Sequence, residues 1–493
     1  IKSRDKASKR ARKSNLETDW NVYKKAKNNV TSLIRNAKQN YFKDKFSEHK
    51  NNSSKLWNLI KCLSKDGGEN KSEISQVVEN EVLITDSTSI AEIFNRYFID
   101  IPTKYLASLG EYQGLKDVFE TSINFAISPV TENDVLELLM SVPCHKATGD
   151  DGIGIKILKI VAPAIVPSLT KKHFPRAWKI AKVSPIFKGN GSRNDKECFR
   201  PISVLPILSK LLEKLICRSM NKFLRENNIL HKFQSGFRKT FSTETALVRL
   251  VDQLLFDLDK NNVSGIVFVD YKKAFNLIDH HVLLRKLEVL GIGDDYLPLF
   301  TSFLSDRKQY VNVNGCHSKT ENVNFGVPQG SILGPVLFLI FINDLPTALK
   351  NSTADIYADD TTISYSDHYN ISPQAISNGI LTDMNELQNW SNKNRMTLNE
   401  RKTKSMLITG KRLDKKLESL DLQIELNNTT IEQVNVFSLL GLKIDMRLTF
   451  DEHVDSPCNK LSQRIGVLRK IKLGRTLVYQ FHCHAFTLIN KVD

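Results

Sequence analysis

The spacing of apolar residues divides the chain into three stretches of different character. Over residues 1–65, Leu16, Trp20, Tyr23, Val30, Leu33, Ile34, Tyr41, Phe42 and Phe46 recur largely at three- and four-residue steps among basic residues, which predicts helix. Lys65-Asp-Gly-Gly-Glu-Asn70 interrupts the pattern and reads as a linker. A second amphipathic helix is predicted over residues 87–99, with Ile90, Ile93, Phe94, Tyr97 and Phe98 on one face. Ser and Thr residues fit its start and Pro102 its end. From about residue 128 to 410 strands alternate with helices. Thr131-Glu-Asn-Asp134 offers a cap for a helix reaching Met140, and residues 208–224 and 243–258 carry strong helical patterns. Gly149-Asp-Asp-Gly-Ile-Gly154 is a turn cluster that completes no G-x-G-x-x-G fingerprint. Gly265-Ile-Val-Phe-Val-Asp270 is a short apolar run ending in a carboxylate, the mark of a buried strand. Residues 355–365 read as strand, tight turn, strand, with paired acids at the turn. Beyond 411 the chain is Lys-rich, with a hairpin expected from 422–426 and 430–433 and a helix over 455–471.

Length and charge sharpen this picture. A chain of 493 residues exceeds one compact core, so two to four domains are expected. The net charge of +16 suits a polyanionic partner, although a basic, inert surface explains the same number. Residues 1–50 hold fifteen Lys/Arg against five Asp/Glu, so the surplus is concentrated where a phosphate-binding arm, a solvated helix or a tail would carry it. Cys62, Cys144, Cys198, Cys217, Cys316, Cys458 and Cys483 lie in no paired framework and read as reduced thiols of an intracellular protein. His482-Cys483-His484 lacks a second ligand pair at zinc-finger spacing. The longest apolar stretch, residues 332–342, is too short to cross a bilayer, so no membrane partner is expected.

The chemistry rests on acids at strand ends. An unpaired carboxylate there is costly to bury, and Asp270 and the pair Asp359 and Asp360 stand about ninety residues apart. If their strands are neighbours in one sheet, the three acids meet at one edge. Oxygen donors with no adjacent His or Cys suit Mg2+, and two such ions can drive an in-line phosphoryl transfer. Either site alone is better explained as a loop cap or an ordinary turn.

The residues around them resemble a family. Tyr357-Ala-Asp-Asp360 resembles the Y-x-D-D box of reverse transcriptases, and Phe268-Val-Asp-Tyr-Lys-Lys-Ala-Phe275 their first metal-binding motif. Between them, Gly326-Val-Pro-Gln-Gly-Ser-Ile-Leu-Gly-Pro335 and Phe341-Ile-Asn-Asp-Leu345 resemble the polymerases of non-LTR retrotransposons, in a jockey-like style. Upstream, Lys146-Ala-Thr-Gly-Asp-Asp-Gly-Ile153, Trp178-Lys179, Pro185-Ile186, Phe199-Arg-Pro-Ile-Ser203 and Ser235-Gly-Phe-Arg-Lys239 are similar to that family's finger motifs. Met396-Thr-Leu-Asn399, Lys402-Thr-Lys404 and Leu440-Gly-Leu442 are similar to its last palm motifs, all in order over about 130–450.

The resemblance implies an α+β right hand with fingers, an antiparallel-sheet palm and a helical thumb, preceded by a basic helical extension. It divides the chain at 1–125, 126–410 and 411–493. It also implies an RNA-directed DNA polymerase that uses two Mg2+ ions, or Mn2+, to join dNTPs to a DNA primer 3′-hydroxyl on an RNA template. Asp270 and Asp359 would bind the metals with Asp360 supporting, and Phe275 would be the steric gate against a ribose 2′-hydroxyl. Gln329 and Gly330 would sit by the template base and incoming nucleotide, Lys188 and Arg200 would grip the triphosphate, and Lys402 would protonate pyrophosphate. An exposed, merely solvated lysine is the plainer account of Lys402, and helix-start roles that of His280 and His281. Cytoplasm and nucleus are the compartments implied.

Three departures stand out. Asn276 replaces the family's usual second Asp, residues 169–175 are about ten residues short of the family's spacing, and the tail after about Lys472 is unlike it. With no endonuclease ahead of Ile1, these features suggest a truncated copy whose nuclease would be a separate domain. The alternative function is then a catalytically inactive remnant that only binds RNA. A two-metal nuclease gives Phe275, Gln329 and Gly330 no role.

Overall fold

The computed structural model describes residues 2–49, 55, 73–106, 124–127, 131–144, 146–169, 174–369, 373–411, 422–427 and 429–470. The chain forms two compact units, Ser72–Thr449 and, separately, Ile1–Lys71 with Phe450–Asp493. The linker 65–70, the shortened stretch 170–173 and the tail with His482-Cys483-His484 lie outside the described residues.

In the smaller unit the basic N-terminal stretch is two helices, Lys2–Ser14 and Glu17–Glu48, rather than one run. Asn15 breaks it with a left-handed φ of 52°, which Asn tolerates better than most residues. Asp19 then accepts from the Ser14 hydroxyl at 2.6 Å and pairs with Arg10 at 3.0 Å, tying the two helices together. The C-terminal helix runs Asp451–Lys470, four residues earlier than its pattern predicts and with Pro457 in its first turns.

The larger unit is built on two sheets. The carboxylate-bearing sheet has the order Glu432–Gln433, Lys404–Ile408, Asn262–Val269, Asp360–His368, Thr353–Tyr357. All pairs are antiparallel except the outermost, Lys404–Ile408 with Glu432–Gln433. Its central strand is almost wholly buried, as its continuous Val, Ile and Phe composition requires. The largest apolar cluster packs on this sheet from the helices His280–Val289, Leu297–Leu304, Gly334–Ile342 and Pro373–Lys393.

The second sheet joins Phe199–Val204, Ile180–Phe187, Arg307–Val313 and Cys316–His317, with Glu321–Val323 also on Arg307–Val313. The helix Ser87–Leu106 covers it, burying Ile90, Phe94, Phe98 and Ile101. Asp86, not a Ser or Thr, caps that helix by accepting the Ser89 N–H at 2.7 Å. Pro102 lies inside it rather than at its end. The burial of Ile101 and Leu106 holds the last turn although the proline donates no hydrogen bond.

Other local readings hold. Thr131 and Asp134 form a reciprocal capping box on Glu132–Ser141, and the helices Ile207–Glu226 and Thr243–Asp259 match their patterns. Beyond residue 411 the described chain is strand before it is helix. Glu425–Leu426 pairs with Thr429–Thr430, and Val436–Leu439 with Leu442–Asp445. Among the described residues no helix is long and apolar enough to cross a membrane.

One close approach holds the acidic turn. Ser235 N–H donates to the Ile356 carbonyl at 2.8 Å, and Gln234 accepts from the Gly236 and Ala358 N–H groups. A Cβ on Gly236 would stand 2.2 Å from the Ala358 nitrogen. Gly236→Ala should therefore lower the melting temperature by at least about 5 °C, whereas Gly293→Ala, with open space around it, should leave it nearly unchanged. Equal thermal shifts in the two variants would contradict this packing.

Candidate active site

Strand register brings the acids together. Thr361 opposes Val269, so Asp360 and Asp270 are the next pair along, where the central strand ends. Asp359 lies in the two-residue turn of the hairpin, beside Ala358 at a left-handed φ of 58°. Tyr357 pairs with Asp360 across that turn.

The three carboxylates repel one another. Burial first, and then Asp270, pushes Asp359 upward, while Arg200 opposes the shift. Asp360 is pushed up to about 6, first by burial and then by Asp359 and Asp270. Asp270 has its own support. Its Oδ2 accepts from the Asn399 amide at 2.6 Å, its carbonyl from the Asn399 N–H at 2.8 Å, and its N–H donates to Thr403 Oγ1 at 3.2 Å. Sequence reasoning placed Asn399 in a motif but gave it no task; here it is the clamp on Asp270.

An oxygen-only donor set whose charges repel one another fits a hard divalent cation in kind. As they stand, however, no three His, Cys, Asp or Glu side chains among the described residues converge closely enough to hold an ion.

Around the acids the remaining candidates fall into two groups. Phe275 stacks on Phe338 with centroids 4.4 Å apart and planes at 17°, and meets Phe237 edge-on at 6.1 Å. The Phe275 carbonyl accepts from Val327 N–H at 3.0 Å, and Asn276 Oδ1 accepts from Gln329 Nε2 at 2.8 Å. The Gln329 carbonyl accepts from Ser203 N–H at 2.7 Å. Gly330 has φ 124°, and a Cβ there would meet the Ser203 carbonyl oxygen at 2.4 Å, so this position excludes any side chain. Asn276, the neutral replacement, thus serves as an acceptor for Gln329.

The second group is cationic. Lys188 Nζ donates to the Glu197 carbonyl at 2.7 Å. Lys273, which sequence reasoning passed over, is lowered to about 8 by burial and by the neighbouring Lys188 and Lys402. Its φ of 50° is left-handed, and its ammonium lies 5.3 Å over the Tyr97 ring. The signal that could have found it is the paired Lys272-Lys273 inside the Asp270 motif. Lys272 is occupied by Glu400 at 2.8 Å, leaving Lys273 to face Lys188 and Lys402. Arg200 is exposed on its strand, opposite Ile186.

Asn343, Asp344 and His280 have structural tasks. Asn343 accepts from His231 N–H at 2.7 Å and donates to the Ile229 carbonyl, and Asp344 pairs with the buried Lys286 at 2.7 Å. His280 begins a helix capped by Asp279, its Nε2 bonded to the Gly326 carbonyl at 2.8 Å.

Comparison with known proteins identifies a family. The family described as "Reverse transcriptase (RNA-dependent DNA polymerase)" matches residues 188–444. The chain is 28% identical over 479 residues to the "Probable RNA-directed DNA polymerase from transposon BS" of Drosophila melanogaster, covering 94% of this chain and 52% of that one. It is 28% identical over 395 residues to the "RNA-directed DNA polymerase from mobile element jockey" of the same fly, covering 76% and 42%. The chain thus spans about half the length of the curated relatives it matches. Among solved structures, an apo telomerase from Candida Tropicalis matches at 14% identity with a TM-score of 0.36, over 61% of this chain and 60% of that one.

The acidic edge makes its own prediction. A carboxyl whose folded pKa is raised destabilises the fold while ionised, and the cost fades as pH falls through that pKa. Solvent at the cleft screens Asp360, so the effect is small. Asp360→Asn should raise the melting temperature by about 2 °C at about pH 7.5 and by nothing below about pH 4. Thermal melts giving the same shift at both pH values would refute the repulsion.

Proposed function

The chain belongs to the reverse transcriptase (RNA-dependent DNA polymerase) family, with its similarity to the jockey-like polymerases of non-LTR retrotransposons, and we propose that it is an RNA-directed DNA polymerase working through Asp270, Asp359 and Asp360. The observation that carries this reading is the register that sets the three acids at one sheet edge.

In this reading the carboxylate-bearing sheet is the palm, the second sheet with its covering helix belongs to the fingers, and the chain beyond 411 contributes the thumb. The substrates are an RNA template, a DNA primer and dNTPs. Two divalent cations, Mg2+ or Mn2+, held by Asp270 and Asp359 with Asp360 beside them, would activate the primer 3′-hydroxyl and neutralise the leaving pyrophosphate. Asn399 keeps the Asp270 carboxylate oriented. Phe275, fixed by its stack on Phe338, bars a ribose 2′-hydroxyl. Gln329 and Gly330 present a backbone surface to the nascent base pair. Lys188, Lys273 and Arg200 hold the triphosphate, and Lys402 stands ready to protonate pyrophosphate. The basic helices Lys2–Ser14 and Glu17–Glu48 add phosphate contacts without sequence choice. An inactive RNA-binding remnant is not favoured, because it leaves the mutually repelling acids and their Asn399 clamp without a purpose.

Asp359→Asn should abolish divalent-dependent primer extension while leaving filter binding to RNA intact; comparable synthesis by that variant would remove the metal assignment. If wild-type protein binds RNA in a salt-sensitive way yet incorporates no dNTP, the polymerase reading fails. Phe275→Ala should admit ribonucleotides at least about tenfold more readily, measured as the ratio of kcat/KM for rNTP and dNTP. An unchanged ratio would remove Phe275 as the gate.

A further inference from the structure

Glu213 is wholly buried in the helix Ile207–Glu226, outside the acidic edge and unused by the chemistry above. A carboxylate at that depth is tolerable only if donors surround it. They do. Oε1 accepts from Ser209 Oγ at 3.2 Å, while Oε2 accepts from Ser331 Oγ at 2.6 Å, Ile332 N–H at 2.7 Å and Leu333 N–H at 3.2 Å. Ser331 Oγ in turn accepts from Gly334 N–H at 2.9 Å. The carboxylate therefore stands at the N-terminal end of the helix Gly334–Ile342, where negative charge is favoured.

The loop it grips is the one that carries Gln329 and Gly330. Ser203, Asn276 and the Phe275 carbonyl hold that loop before Ser331, and Glu213 holds it from Ser331 to Leu333. Glu213 is also the only one of these holders that gathers three loop donors on a single oxygen. A shift of the Ser331–Leu333 backbone would carry Gly330 away from Ser203, where its close approach leaves no slack.

We propose that Glu213 is a positioning residue that sets the Gln329–Gly330 loop in register for the incoming nucleotide. It rests on the polymerase reading, touches no substrate and acts through the loop. Glutamine retains one oxygen for the three loop donors and can donate to Ser209, so Glu213→Gln keeps the shape but loses the charge that strengthens each bond. Alanine leaves all four donors unpaired.

Steady-state primer extension on an RNA template and amide exchange without substrate test the two halves separately. Glu213→Gln should raise the KM for dNTP about tenfold and increase misincorporation, with kcat and the KM for primer–template within about twofold of wild type. Exchange at Ile332 and Leu333 should quicken in Glu213→Gln. Ser331→Ala, which removes one loop donor to Glu213 together with the acceptor for Gly334 N–H, should give the same KM split more weakly. Unchanged exchange in Glu213→Gln would overturn the clamp. Quicker exchange with an unchanged dNTP KM would overturn the positioning role, as would a uniform fall in every parameter. Wild-type protein that incorporates no dNTP would overturn the polymerase reading and, with it, this role in synthesis; exchange would still report on the clamp.

Discussion

The antiparallel register that sets Thr361 opposite Val269 is the constraint on which the rest of the site depends. Because side chains alternate across a strand, a slip of one residue would send the Asp270 and Asp360 carboxylates to opposite faces. The register is held from outside the pair. On one flank Ser235 and Gln234 fasten the hairpin turn, and on the other Lys404–Ile408 pairs with the central strand while Asn399 and Thr403 bind Asp270 directly. The acids are thus fixed by neighbours from two separate parts of the chain, residues 234–235 and residues 399–408.

Charge is sorted around that frame. The acids stand along one edge with Arg200 opposing the charge on Asp359, while Lys188, Lys273 and Lys402 crowd one another. Each group is uncomfortable alone, which is the expected condition of a site whose ligands bring the opposite charges. Elsewhere several charged groups are answered locally by an ion pair or by hydrogen bonds. Lys286 has Asp344, Arg249 has Asp355, and Glu213 has its four donors.

What could be read from the sequence was what local chemistry decides. The Asp270 strand, the acidic hairpin, the Thr131 cap and the helices Ile207–Glu226 and Thr243–Asp259 all declare themselves by alternation, turn residues or helical spacing. Three things did not. The helix Ser87–Leu106 continues through Pro102 because tertiary burial overrides the local stop signal. The helical run at the N-terminus divides at Asn15, a single residue's backbone choice inside an otherwise unbroken pattern. The tasks of Asn399, Lys273 and Glu213 depend on partners over a hundred residues away, or on a lysine cluster that exists only once the sheets have formed. Motif order gathers the candidates by sequence; only the long-range pairing shows which side chain leans on which.

The second sheet has a consequence in time. Ile180–Val183 lies parallel to Lys308–Val311, so the strand Ile180–Phe187 pairs on one side with its near neighbour Phe199–Val204 and on the other with a segment more than a hundred residues downstream. A ribosome adding about 5–20 residues per second leaves that edge bare for about 10 s after the first hairpin has formed. During that interval the newborn hairpin is an open template for any passing strand, including one from another copy emerging from the same message. The covering helix Ser87–Leu106 is made earlier still, but it packs chiefly on Arg307–Val313 and Cys316–His317, the strands that arrive last, so the nascent edge stays open until they do.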